Sequence, residues 1–161
     1  MALCSPSGKV WLMVWKPNVT VAALLERDGR FLLVEEETEF GVRFNQPAGH
    51  LDCGESLLAA VVRETIEETA YRLQPEFLVG IYNYRIEERD LTYLRFAFGG
   101  RVAGHEPARP LDQGILAVHW LTPDEIRAKQ ALHRSPLVLR CVEDWLAGRR
   151  YPLELLVDYH R

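Results

Sequence analysis

Glu64, Glu67 and Glu68 stand at i, i+3 and i+4, the spacing that makes neighbours on one helix face. Three like charges placed that way destabilise a helix unless something compensates. A divalent cation is the natural compensator. Hard cations take oxygen ligands, and Mg²⁺ usually combines one or two carboxylates with waters and substrate phosphates. Gly49 lies in a loop ahead of the helix, where its carbonyl can join the same shell. Glu55 stands at the loop-to-helix junction, and Arg63 is spaced to pair with Glu67 at i+4. A bare run of helical glutamates is more often a solvated face than a metal site. The wider pattern is more specific: Gly49, five residues, Glu55, seven residues, Arg63-Glu64, two residues, Glu67-Glu68.

The elements around this pattern have their own markers. Asn18 to Glu26 and Arg30 to Glu35 are rich in apolar and β-branched residues and flank Asp28-Gly29, which predicts an antiparallel hairpin. Glu35 to Glu39 reads as a solvated exit from its second strand. Phe44 to His50 contains Pro47 and Gly49 and reads as a break. Ser56 is an N-cap for a helix running to about Ala70. On that helix Leu58, Val61, Val62, Thr65 and Thr69 share one side and the three glutamates another. Strands are expected over Phe77 to Arg85, Leu91 to Phe98 (ended by Gly99-Gly100) and Ile115 to Leu121. Thr122-Pro123-Asp124-Glu125 combines an N-cap, a first-turn proline and a capping-box glutamate. Ser135-Pro136 opens a last helix that stops at Gly148. Strands and helices mixed in this way predict an α+β chain, an α/β/α sandwich with a central mixed β-sheet between helices.

The chain has 161 residues, enough for one domain with its own core. Its 23 acids and 19 bases leave a net charge of −4. That balance argues against a nucleic-acid polymer or an anionic membrane as partner. The excess is local. Between Gly49 and Tyr71 stand five acids and one base, so this segment carries all of it. No apolar run is long enough to span a membrane, and residues 1–12 do not read as a secretory signal. Cys4, Cys53 and Cys141 are odd in number and scattered, and the five histidines show no ligand spacing. The expected setting is the cytoplasm.

The segment GHLDCGESLLAAVVRETIEETAY, Gly49 to Tyr71, resembles the Nudix box, G-x5-E-x7-R-E-U-x-E-E-x-G-U, with U a bulky apolar residue. Thr65 stands at a U position, Ala70 replaces the last glycine, and Tyr71 is aromatic where an aliphatic is usual. Ala70 carries a cost if the position needs positive φ. Thr65 faces the core side, where its hydroxyl needs a partner such as the Val61 carbonyl. WKPNVTVAALLE, FLLVEE, NQPAGHL, YLRFAF, HRSPLV and RRYPLE extend the likeness over nearly the whole chain and are similar to the NudJ-type phosphatase branch. That likeness implies a single Nudix hydrolase domain over residues 14–161. Residues 1–13 would then be an extension, with Met13 as an alternative start.

The resemblance implies a hydrolase of phosphoric anhydride bonds, a pyrophosphohydrolase or phosphatase. The cofactor it implies is Mg²⁺, with Mn²⁺ as the alternative. Its implied metal set is Gly49, Glu64, Glu67 and Glu68, with Glu64 either a ligand or the general base. Arg63 is implied as an orienting residue and Glu55 as support from the loop. Asp112, shortly before the last strand, is the candidate for a further acid. Arg95, flanked by aromatics, is placed to reach a phosphate, and Phe44 to stack on a base. The implied substrates are small: nucleoside tri- and diphosphates, and hydroxymethylpyrimidine pyrophosphate. A monomer or homodimer is expected. The competing reading is a non-catalytic module of the same fold that binds a phosphorylated ligand. Retention of all three helix glutamates favours the enzyme.

Overall fold

Val21 to Leu25 are buried on both sides of one strand, and the alternation of their side chains divides the molecule into two cores. Val21, Ala23 and Leu25 pack with Ala60, Val61, Leu73, Leu78 and Phe98. Ala22 and Leu24 pack on the opposite face with Phe31, Ile126, Val138, Cys141 and Val142. A strand buried on both faces needs cover on both, which gives the α/β/α sandwich. The computed structural model describes residues 3–4, 10–11 and 15–159. Most of the expected extension over residues 1–13 lies outside the described residues. Its described parts, β1 (Leu3–Cys4) and β2 (Val10–Trp11), pair antiparallel with each other.

The main sheet has seven strands and is mixed. β3 (Asn18–Arg27) and β4 (Arg30–Thr38) form the expected hairpin, with Asp28 and Gly29 both at positive φ. β5 (Gly41–Asn45) extends β4, and β6 (Ala48–His50) pairs with β3. β7 (Tyr71–Ile86) and β8 (Leu91–His105) form a long antiparallel pair. β8 runs parallel to β3, and β9 (Ile115–Leu121) closes on β4. Helix α1 (Leu57–Thr69) covers one face. α2 (Pro123–Ala128) and α3 (Leu137–Leu146) cover the other.

Three local expectations need correction. β4 does not end at Glu35: it continues to Thr38, because β5 and β9 pair with its acidic half. Phe44 to His50 holds the end of β5 and all of β6, interrupted only at Gln46-Pro47. Gly99-Gly100 does not end β8. A Cβ on Gly100 would collide with the backbone at Gln74, where β7 is bulged. These glycines allow close approach inside the sheet and do not terminate it.

The departures at Thr65 and Ala70 are both accommodated. Thr65 is fully buried, and its hydroxyl donates to the Val61 carbonyl at 2.6 Å. Ala70 caps α1 at φ 60°, with its N–H donating to the Ile66 carbonyl. A non-glycine residue in this conformation costs roughly 1 kcal/mol or more. The cap bond and burial of the methyl group offset that cost.

Candidate active site

Ser56 accepts from the Ala59 N–H and starts α1 one residue later. With that phase, Val61, Thr65 and Thr69 turn inward, and Glu64, Glu67 and Glu68 face the Ala48–His50 strand and the loop ahead of β9. The Ala48 N–H donates to Glu68 Oε2 at 2.9 Å. The Asp112 N–H donates to the Glu67 carbonyl at 3.0 Å, tying the later loop to the end of the helix. Gly49 lies against Glu64 so closely that a Cβ would overlap the carboxylate. Gly49→Ala is therefore expected to push Glu64 aside. Steady-state assays should show kcat/KM reduced roughly 100-fold, the scale of an ångström-level misplacement.

Arg63 organises this cluster. Its Nε and Nη2 donate to the two oxygens of Glu55, each at 2.9 Å. Its Nη1 donates to Glu64 at 2.6 Å and Glu67 at 3.2 Å, and Nη2 also reaches the His50 carbonyl at 3.1 Å. The guanidinium thus joins loop, strand and helix, and the carboxylates hold its pKa well above the ordinary value. Hydrogen bonding to Arg63 is also the main cause lowering the Glu55 pKa.

The other carboxylates shift upward. Burial raises Glu64, against the pull of Arg63, and nearby Glu67 and Asp112 add to the rise. Burial pushes Glu68 up to about 8, with Glu64, Glu36 and Asp112 contributing repulsion. Among the described residues Glu68 has no ion-pair partner, in contrast to Glu64 and Glu67. No three His, Cys, Asp or Glu side chains among the described residues converge as a ready cage for a metal. Arg63 draws Glu64 and Glu67 toward itself, and the Ala48 N–H holds Glu68 separately. Crowded oxygen donors, a partly buried carboxylate lacking a cation and a glycine that leaves room for Glu64 together fit a hard divalent ion completed by water and substrate oxygens.

Beside the cluster opens a cleft of about 430 Å³. Ala48, Gly49 and His50 form its edge nearest α1. Its charge is opposite to that of the helix: Arg43, Arg89, Arg95 and Arg134 line it, against one acid, Glu36. Arg95 lies on β8 opposite Thr20 and Tyr82 and is 8% exposed. Desolvation lowers its pKa, while Glu36 and Glu68 favour its charge. Phe40, Tyr84 and Tyr93 supply aromatic surface. The acidic helix face and the basic cleft therefore meet at Gly49. That juxtaposition is what a phosphate chain bridged by a cation requires.

The structure brings Gly49, Glu55, Arg63, Glu64, Glu67, Glu68 and Asp112 together, and places Arg95 in the adjoining cleft. Phe44 is a correction. Along β5 successive side chains alternate, so Arg43 and Asn45 line the cleft while Phe44 turns into the core beside Leu33, Ile126 and Val138. Sequence reasoning missed Glu36, Asn45, Tyr93 and Arg134. They come from four separated segments, and only the register of β4 with β5 reveals that Glu36 sits across from Arg43.

The NUDIX domain family model matches residues 15–141. The chain is 36% identical to phosphatase NudJ of Escherichia coli strain K12 over 147 residues, 91% of this chain and 95% of that protein. It is similar to the structure of a NUDIX hydrolase from Nitrosomonas europaea, with TM-score 0.87 and 52% identity over 89% of this chain and 98% of that one. An ADP-ribose pyrophosphatase from Streptococcus suis shares the fold at TM-score 0.59 and 20% identity, over 83% of this chain and 93% of that one.

Proposed function

This chain belongs to the NUDIX family, and from that premise we propose that it is a Mg²⁺-dependent pyrophosphohydrolase or phosphatase of small nucleoside di- and triphosphates. The observation that carries this reading is the meeting of three carboxylates on α1 with a cationic cleft at Gly49. The similarity to a protein named a phosphatase supports small phosphorylated substrates. No helix among the described residues is long and apolar enough to cross a membrane.

Glu64, Glu67, Glu68 and the Gly49 carbonyl are the groups that would hold the cation, with Mn²⁺ as an alternative to Mg²⁺. When bound, such an ion neutralises diphosphate charge and lowers the pKa of water. The protein's own contribution is positional and electrostatic. Arg63 keeps Glu64 and Glu67 oriented and fastens Glu55 to the helix. Glu64, held by Arg63 against Gly49, is the alternative proton acceptor for the attacking water in place of a cation ligand. Asp112 adds a carboxylate from the loop bonded to α1. Arg43, Arg89 and Arg134 supply positive charge in the adjoining cleft.

The test is phosphate and pyrophosphate release from nucleoside di- and triphosphates and from hydroxymethylpyrimidine pyrophosphate, with and without Mg²⁺. Wild type is expected to turn over part of the panel only with Mg²⁺. Glu67→Gln should lose activity roughly 10²–10³-fold. Equal, near-zero release from both proteins would support the binding-module reading.

A further inference from the structure

Among the described residues seven buried side-chain nitrogen or oxygen atoms lack a hydrogen-bond partner. Five of them, on Thr20, Glu36, Asn45, Arg95 and Ser135, belong to residues lining the one cleft beside α1. Buried polar atoms are normally paired, because an unpaired one forfeits its bond to water. Five gathered in a cavity of ligand size call for partners on a ligand. The atoms come from β3, β4, β5, β8 and the segment before α3. Two of the residues are themselves more than nine-tenths buried: Arg95 at 8% exposed and Asn45 at 7%.

The types of these atoms limit the ligand. Asn45 Oδ1 and the ionised Glu36 carboxylate only accept, the Arg95 Nη1 only donates, and the two hydroxyls do either. The Asn45 side chain is close enough to Glu36 to favour its charged form, and Arg134 approaches the same carboxylate at 3.8 Å, so the acceptors are neighbours. A phosphate only accepts. It would satisfy Arg95 and leave Glu36 and Asn45 facing further oxygens. The complement is a group with two donors beside one acceptor. Among the common nucleobases, guanine alone presents a ring N–H and an amino group adjacent to each other and next to a carbonyl. Tyr84 and Tyr93 are cross-strand partners on β7 and β8 and supply aromatic faces for stacking in the same cleft.

We propose that Glu36, Asn45 and Arg95 form a specificity pocket that reads the edge of a guanine nucleotide. Glu36 accepts from both the ring N–H and the 2-amino group, Asn45 accepts from the remaining 2-amino hydrogen, and Arg95 donates to the carbonyl. The proposal rests on the hydrolase reading only in placing the diphosphate at α1. A site built around a donor discriminates strongly against the analogue that lacks it.

The experiment compares GDP with inosine diphosphate, which differs only by the missing 2-amino group. It uses kcat/KM with Mg²⁺ and, independently, calorimetric binding of GMP and inosine monophosphate. Wild type is expected to favour the guanine compound by about tenfold or more in both measurements. In Glu36→Gln the carboxamide N–H₂ faces a donor, and the preference should fall to near one. A wild-type preference near one overturns the pocket while hydrolysis of both compounds leaves the hydrolase reading standing. A folded Glu36→Gln that keeps the full preference also overturns it. Guanine-selective binding without hydrolysis of either diphosphate supports the pocket and overturns the hydrolase reading.

Discussion

Glu68→Gln should lower kcat by roughly 10²–10³-fold, the scale of losing one preorganised electrostatic contact, while making the metal-free protein more stable at alkaline pH. Burial and the carboxyls of Glu64, Glu36 and Asp112 raise the Glu68 pKa from 4.5 to about 8. Between those values the folded state binds a proton that the unfolded chain does not. The resulting stability is complete below pH 4.5 and is lost as pH rises through about 8. Gln has no proton to lose, and its amide oxygen keeps the bond from the Ala48 N–H seen at Glu68. Thermal unfolding in chelator should therefore show wild type falling below the variant above pH 8. Added Mg²⁺ should restore wild type and leave the variant little changed, because a ligand that binds only the folded state stabilises it. Parallel pH profiles for the two proteins would contradict this assignment of Glu68.

Arg63→Ala is the second large effect. The side chain ties together Glu55, Glu64, Glu67 and the His50 carbonyl. Its loss leaves three half-buried carboxylates without their common counter-charge. Partial exposure moderates the cost, so about 1–3 kcal/mol of stability is expected, measured by chemical denaturation. Activity should fall roughly 10–100-fold, the effect of removing a residue that orients metal ligands. Arg63→Lys should recover little of either. An ammonium group is a point charge and cannot reproduce the fork that meets both Glu55 oxygens.

The helix and its chemistry were legible because they are local. Ser56, the i, i+3, i+4 carboxylates and Ala70 lie within one element, and periodicity places them without knowledge of the rest of the chain. The Asp28-Gly29 turn and the Thr122 capping box were readable for the same reason. What was hidden depends on pairing. Glu36 sits in an acidic run that looks solvated, and only β5 and β9 on either side bury it. Phe44 looks like a ligand-stacking residue until the alternation of β5 sends it to the core and its neighbours Arg43 and Asn45 to the cleft. Gly99 and Gly100 look like a terminator, but the bulged partner strand needs their missing side chains.

The location of the charge also changes its meaning. The formal excess of −4 sits in the segment from Gly49 to Tyr71, and the neighbouring cleft carries four arginines. An acidic chain can take an anionic substrate when its negative charge is confined to the cation site.

Glu64, Glu67 and Glu68 are proposed to hold the divalent cation. Titrating Mn²⁺ into the metal-free protein, with the free ion followed by electron paramagnetic resonance, tests this without relying on turnover. Wild type should bind Mn²⁺ in competition with Mg²⁺. A folded variant with all three glutamates changed to glutamine should lose that binding. Equal Mn²⁺ binding by the triple variant would place the cation elsewhere and overturn the assignment of these three glutamates.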